Sequence, residues 1–389
     1  MDATNAAALL AAGTAMAGLA QAGAGWWALH RFLRTPQNDP PALPPVTVLK
    51  PLHGDGPLLE AALETCFTQD YPAYQLVFAV QDRRDPALAA VERLQARYPD
   101  VDAVVVVNPA THGANRKIGN LLNAWPAAKH GVIVIADDDM HATPDYLRAL
   151  VGTLMQPGVG LATTLYTGLP HDGSLAAQLG AAQINHSFLP GALMARSLGR
   201  EDCLGASMAL RRDTLERIGG LQALADHLAD DAVLGRLVQA AGGRVALAGT
   251  VPATTVPESS LRALFQHELR WARTIRSLAP AGFVLSALQY PLFWAALALL
   301  LAPGWQAAAL FGLAWAARGA IAQGVERSLG IATRAPIWCL PLRDALSVAV
   351  MLASYRSDRV AWRGQTLRAT RPVLTPRAPV LASQGNLPP

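Results

Sequence analysis

Charge is what this chain has little of. Only 15% of its 389 residues are Asp, Glu, Lys or Arg, while 52% are hydrophobic. A soluble enzyme of this length carries about a quarter charged residues, so the deficit excludes a wholly solvated protein and points to segments in a membrane. Cysteine is scarce too. Cys66, Cys203 and Cys339 form no CxxC and have no histidine at zinc spacing, which excludes a disulfide framework or a zinc site as the basis of the fold. The net charge of +4 comes without a Lys/Arg block or interleaved aromatics, so nothing speaks for a nucleic-acid partner. Basic residues cluster beside apolar stretches instead, as they do at a lipid bilayer surface.

The apolar stretches divide the chain. Residues 6–29 are Ala-rich and long enough to span, since about 20 residues cross a hydrocarbon core. No basic region precedes them, so residues 1–34 read as an uncleaved transmembrane anchor rather than a signal peptide. Trp26 and Trp27 form an interfacial belt, and His30, Arg31 and Arg34 place that end in the cytoplasm. A Pro-rich linker covers residues 35–45. From 46 to 280 the pattern alternates. Strands are expected at Val46–Leu49, Gln75–Gln81, Asp102–Val107, Val132–Ala136, Gly160–Tyr166, Leu204–Leu210 and Arg244–Leu247, with helices between. That alternation predicts an α/β domain on a mostly parallel sheet. Residues 174–198 are apolar, broken by Pro190 and Gly191, and read as a segment lying on the bilayer. Residues 281–355 hold three further apolar segments. Phe283–Leu301 and the stretch from Trp305 form a helical hairpin around Pro303 and Gly304. Ile337–Ser354 carries Arg343 and Asp344 in its interior, and a central charge is costly in a span, so it is expected to be re-entrant or interfacial. A basic cytoplasmic tail, 356–389, ends the chain.

The stretch around which the domain is built is Val132-Ile133-Val134-Ile135-Ala136-Asp137-Asp138-Asp139. A buried strand ends in three carboxylates, at the end of a sheet where ligands bind. Asp137 and Asp139 lie two apart and point the same way in extended backbone. Two hard oxygen ligands plus phosphate oxygens suit Mg²⁺ or Mn²⁺. Three other places carry chemistry: Asp82 after a strand, Asp230-Asp231 opening a helix, and His267-Glu268-Leu269-Arg270-Trp271 on a helix just before the membrane. Each alone is as well explained by a helix cap, a salt bridge or an interfacial anchor.

Together they follow the pattern D…DxD…(E/D)D…(Q/R)xxRW of inverting glycosyltransferases. With Val48–Gly54, Gln69-Asp70-Tyr71-Pro72 and Val80-Gln81-Asp82, the chain resembles the ceramide glucosyltransferase family, nearest its bacterial branch of hopanoid-biosynthesis enzymes. The resemblance implies a GT-A type, Rossmann-like domain and transfer of a sugar from a UDP-sugar to a membrane lipid. It implies that Asp82 holds the uracil or ribose, that Lys117 contacts phosphate, and that Asp137 and Asp139 bind the cation. Asp231 is the implied base, with Asp230 beside it; Arg270 meets the diphosphate and Trp271 walls the sugar or acceptor. His267 stands where the family has Gln or Arg. His186 is implied near the acceptor and Cys203 near the nucleotide. A processive polysaccharide synthase and a non-catalytic nucleotide-sugar binder are the readings of other kinds.

Overall fold

The computed structural model describes residues 2–35, 42–332, 335–362 and 365–369. Most of the Pro-rich linker, and the tail residues Arg363, Arg371 and Arg377, lie outside the described residues.

Seven strands make the central sheet: β1 (Val46–Pro51), β2 (Tyr74–Val80), β3 (Asp102–Val107), β4 (Val132–Ala136), β6 (Val159–Thr163), β8 (Ser207–Arg211) and β9 (Arg244–Leu247). Their order is β3-β2-β1-β4-β8-β6-β9. All neighbours are parallel except β8, which runs antiparallel to both β4 and β6. A mostly parallel sheet needs both faces covered, and the residues alternate to suit. On β4, Val132, Val134 and Ala136 enter one core layer, while Ile133 and Ile135 enter the other. The helices Leu59–Phe67, Ala87–Arg97 and Tyr146–Leu154 cover the first face, and Arg116–Ala124 and Asp230–Ala240 the second. Each fully buried Val, Leu or Ile contributes about 1.5–3 kcal/mol, so substituting Ile135, near the end of β4, by a polar residue would undo the layer beneath the acidic turn.

A smaller sheet sits over the carboxyl end of the large one. Its strands β5 (Met140–His141), β10 (Ala253–Val256) and β7 (Thr167–Pro170) lie in the order β5-β10-β7. The strand expected over Gly160–Tyr166 is shorter in the structure. Val159–Thr163 stays in the central sheet, and the chain bends so that Thr167–Pro170 pairs with β10.

The long helix Ala3–Arg34 packs on Pro291–Leu301 and Trp305–Ser328. Gly25 lets it approach the domain closely: a Cβ there would lie 2.7 Å from the Pro190 Cβ. Residues 174–198 fold as the helix Leu175–Gln183, one π-helical turn Ile184–Phe188 and the helix Leu189–Ser197. The leg expected over Phe283–Leu301 is broken instead. Pro280–Gln289 and Pro291–Leu301 meet at 69°. Pro291 lacks an N–H and pushes the residue before it out of helical geometry; Tyr290 has φ −114° and ψ 59°. Ala3–Arg34, Trp305–Ser328 and Ile337–Ser354 are each long and apolar enough to cross a membrane.

Candidate active site

The strand order gathers the acidic motifs. Because β8 begins where β4 ends, with Ser207 opposite Ala136, the loop before β8 lies across the Asp137–Asp139 turn. The Asp137 N–H donates to the Ala206 carbonyl at 3.1 Å. On β1, fully buried Lys50 donates from Nζ to the Asp137 carbonyl at 2.7 Å and holds the turn from below. From the small sheet, Thr254 Oγ1 donates to Asp139 Oδ2 at 2.8 Å, and the Thr255 N–H to the Asp139 carbonyl at 3.0 Å.

Two helix starts meet at the same place. Asn115 caps Arg116–Ala124 by accepting from the Ile118 N–H at 3.1 Å. Its amide donates to the His227 carbonyl and to Asp230 Oδ1, at 2.8 and 3.2 Å. Lys117, in the first turn, places Nζ 2.6 Å from Asp137 Oδ1 and 3.6 Å from Asp230 Oδ2. Burial alone would pull the Lys117 ammonium down. Asp137 and Asp230 outweigh it and raise the pKa, so the lysine stays charged.

Asp231, next in the helix, accepts the Ala232 N–H at 2.8 Å. Burial pushes its carboxyl up to about 7, and the neighbouring Asp230 pushes the same way. A carboxylate poised near neutrality suits a general base. Gly205 makes room for it. With φ +85° it occupies the left-handed region, and a Cβ would lie 2.6 Å from Asp231 Oδ2.

The far wall is the helix Leu261–Leu278, capped by Ser260. It presents His267, Glu268, Arg270 and Trp271 to a cavity of about 330 Å³ shared with Lys117, Asp137, Asp138, Asp139, Asp230 and Asp231. His267 Nδ1 bonds the Glu258 carboxylate, and its ring meets Trp271 edge-on at 4.4 Å. Burial would raise the Glu258 carboxyl, yet the His267 hydrogen bond and charge hold it below its usual range. Tyr166, Gly180, Ile184, Leu204, Val256 and Leu264 give the cavity an apolar side.

Three anticipated residues are not in this lining. Asp82 is at the carboxyl end of β2, exposed, and accepts the Arg84 N–H at 2.9 Å. Cys203 is buried in the core layer beneath the Asp231 helix, and burial raises its thiol pKa. His186 is buried in the π-helical turn, with Nε2 3.0 Å from Glu326 Oε1 on the helix Trp305–Ser328. Sequence reasoning missed Lys50 and Glu258. A lysine inside a fully buried strand was the available signal for the first. Glu258 follows β10, and only the fold brings it to His267.

The donor set fits a divalent cation. Asp137 and Asp139 both line the cavity, and burial together with Asp137 and Asp138 raises the Asp139 carboxyl, as expected where carboxylates crowd in a buried place. Among the described residues no three His, Cys, Asp or Glu side chains are placed to hold one ion. Other positions would fall to phosphate oxygens and water, as is usual for Mg²⁺.

A family model, Glycosyl transferase family 21, matches residues 9–372, nearly the whole chain. The chain belongs to that family. This family 21 chain is similar to ceramide glucosyltransferase 1 of Caenorhabditis elegans, 24% identical over 265 residues, which are 68% of this chain and 56% of the relative. It is similar to the ceramide glucosyltransferase of Komagataella phaffii, 33% identical over 119 residues, 30% of this chain and 23% of that protein. The chain thus spans little more than half of the first and about a quarter of the second. Among solved structures it is similar to the mannosyltransferase PcManGT from Pyrobaculum calidifontis, in complex with GDP-Man and Mn²⁺. The TM-score is 0.51 at 21% identity, covering 90% of this chain and 99% of the other. That likeness concerns the fold, and the expected GT-A type α/β architecture with N-terminal and C-terminal apolar helices is the one observed.

Proposed function

We propose that this chain is an inverting glycosyltransferase that moves a sugar from a UDP-sugar to a hydroxyl of a membrane lipid. The observation that carries the reading is one cavity with two characters. Asp231, Asp137, Asp139, Lys117 and Arg270 line it together with Tyr166, Ile184 and Leu264. The segment 175–197 gives Gly180 and Ile184 to its apolar side, and its second helix, Leu189–Ser197, packs on Ala3–Arg34.

In this reading Asp231 takes the proton of the acceptor hydroxyl as that oxygen attacks the anomeric carbon from the side opposite UDP, so configuration inverts. Asp230 keeps Asp231 basic by like charge. Lys117 and Arg270 face the negative charge that develops on the leaving diphosphate. Trp271 offers an aromatic face to the sugar or acceptor, and Asp82 accepts hydrogen bonds from uracil or ribose. His267, held by Glu258, donates to a phosphate oxygen in place of the family's Gln or Arg. Asp137 and Asp139 would hold Mg²⁺ or Mn²⁺, which offsets diphosphate charge. His186 and Cys203 support the acceptor and nucleotide sides from within the packed protein.

The motif blocks favour the hopanoid-biosynthesis branch, whose enzyme is HpnI. The proposed reaction is therefore transfer of N-acetylglucosamine from UDP-GlcNAc to a hopanoid polyol, bacteriohopanetetrol. The names of the relatives favour a second reading, glucose from UDP-glucose to ceramide. We place the protein in a bacterial inner membrane with residues 46–280 and the tail 356–389 on the cytoplasmic side. Ile337 packs on Gly319, roughly 13 Å of helix before Ser328 at about 1.5 Å per residue, and Tyr355 returns to Phe283. That path supports a re-entrant Ile337–Ser354. Cysteine labels near residues 100 and 380 should react from the same side; opposite accessibility would make that segment a full span.

The test is UDP release by the purified chain with each UDP-sugar, with and without each lipid. Lipid-stimulated release with a single sugar added is expected. No release supports a non-catalytic binder, and a polymeric product supports a synthase.

A further inference from the structure

Arg343 was notable in the sequence only as a charge inside an apolar segment. In the structure it is 2% exposed and every one of its nitrogens is engaged. Nη1 and Nη2 each donate to a separate oxygen of Glu268 at 2.7 Å. Nη1 also reaches the Leu179 carbonyl at 3.1 Å, while Nε and Nη2 reach Ser347 Oγ at 3.2 and 3.0 Å. Ser347 in turn donates to Gln183 Oε1 at 3.1 Å. These partners are not scattered. Glu268 lies on the helix that carries His267, Arg270 and Trp271, and Leu179 and Gln183 flank Gly180 and Ile184 of the facing wall. A single planar guanidinium therefore joins both walls of the cavity to the helix Leu340–Ser354. Next to it, Asp344 accepts the Leu292 N–H at 2.9 Å and ties that helix to Pro291–Leu301.

We infer that Arg343 is a positioning residue: through Glu268 and Leu179 it fixes the spacing between the His267–Trp271 wall and the Leu175–Gln183 wall, where the acceptor enters. The inference rests on the proposed glycosyl transfer. Glu268 is spent on this fork and is not a second base. Burying an ion pair returns little stability relative to apolar packing, so what the arrangement gains is orientation. The fork geometry is particular to arginine, because a lysine ammonium keeps the charge but makes no bidentate pair.

The test uses the full chain in phospholipid nanodiscs with the acceptor lipid that supports turnover. Arg343→Met, Glu268→Gln, the double variant and Arg343→Lys are compared for kcat, for UDP-sugar Kd and for amide hydrogen exchange of residues 261–271. Arg343→Met should lower kcat at least tenfold with Kd within twofold and faster exchange. The double variant should lose no more than either single one, because the pair acts as a unit, and Arg343→Lys should recover part of the rate. If Arg343→Met does not fold, the double variant, which leaves no lone buried charge, carries the same expectation. A kcat within twofold of wild type, a Kd that rises in step with the loss, or single losses that multiply in the double variant would overturn the inference. Should wild type itself release no UDP, the functional reading fails separately. Exchange then decides the clamp: faster exchange in Arg343→Met sustains it, and unchanged exchange overturns it.

Discussion

Two polar regions are buried in this protein, and they treat charge differently. Against the membrane helices, Arg343 faces Glu268 through two bonds, His186 faces Glu326, and Asp344 accepts a backbone N–H. At the carboxyl end of the sheet, Asp137, Asp138, Asp139, Asp230 and Asp231 line one cavity, and burial with mutual repulsion raises Asp139 and Asp231. Lys117 pairs with Asp137 and lies 3.6 Å from Asp230. The paired charge of Arg343 and Glu268 holds helices together. In the proposed reaction the raised carboxylates of the cavity meet a cation with its phosphates or a proton from an acceptor.

Removing the cation should have the largest effect. With EDTA, turnover should vanish and return with Mg²⁺ or Mn²⁺, measured as UDP release. Full activity in chelator would show that the crowded carboxylates serve the fold, like the Arg343 cluster, and not a metal.

Asp231→Asn comes next. The amide keeps the size and one acceptor but takes no proton at neutral pH, so kcat should fall by ~10²–10⁴-fold while donor Kd stays nearly constant. A variant retaining most of its turnover would reduce Asp231 to a helix cap, for which Asn is equally good, and move attention to Asp230.

The pH response sharpens the same contrast. The Asp231 carboxyl is raised from 3.8 to about 7 in the folded protein, so the folded state binds the proton more tightly than the unfolded chain does. Its stabilising contribution is complete below about pH 4 and is lost as pH rises through about 7. Activity runs the other way, because the base must be ionised: kcat should climb about tenfold per pH unit up to about 7 and then level. A flat profile between pH 5 and 8 would contradict a base of that strength. Gly205→Ala should have the smallest effect, a loss of up to roughly tenfold in kcat. Its Cβ would press on Asp231 Oδ2 in a left-handed backbone, and unchanged kcat would mean that Asp231 tolerates displacement.

The same contrast explains what was legible in the sequence. The acids of the cavity were visible because strand ends and helix starts are local signals: β-branched residues run into Asp137, and Asp230-Asp231 open an Ala- and Leu-rich helix. The strands β1 to β4 follow from apolar runs bounded by turns. The compensated cluster was not visible. Glu268 and Arg343 are 75 residues apart, and no spacing rule links them before the helices pack. The break at Tyr290 was missed although Pro291 was there to read, because apolar content outweighed it. The strand expected to reach Tyr166 ends at Thr163, and the second sheet, paired through β10, claims the residues from Thr167 on.

In the proposed function Asp231 and its cavity join a sugar to a membrane lipid. The most direct measurement is mass spectrometry of lipids from membranes incubated with UDP-GlcNAc or UDP-glucose and either the wild-type chain or Asp231→Asn. A new lipid, one hexose-type unit heavier, should form with wild type and be absent with Asp231→Asn. A lipid profile unchanged by the wild-type chain, or the same product from both proteins, would contradict that function.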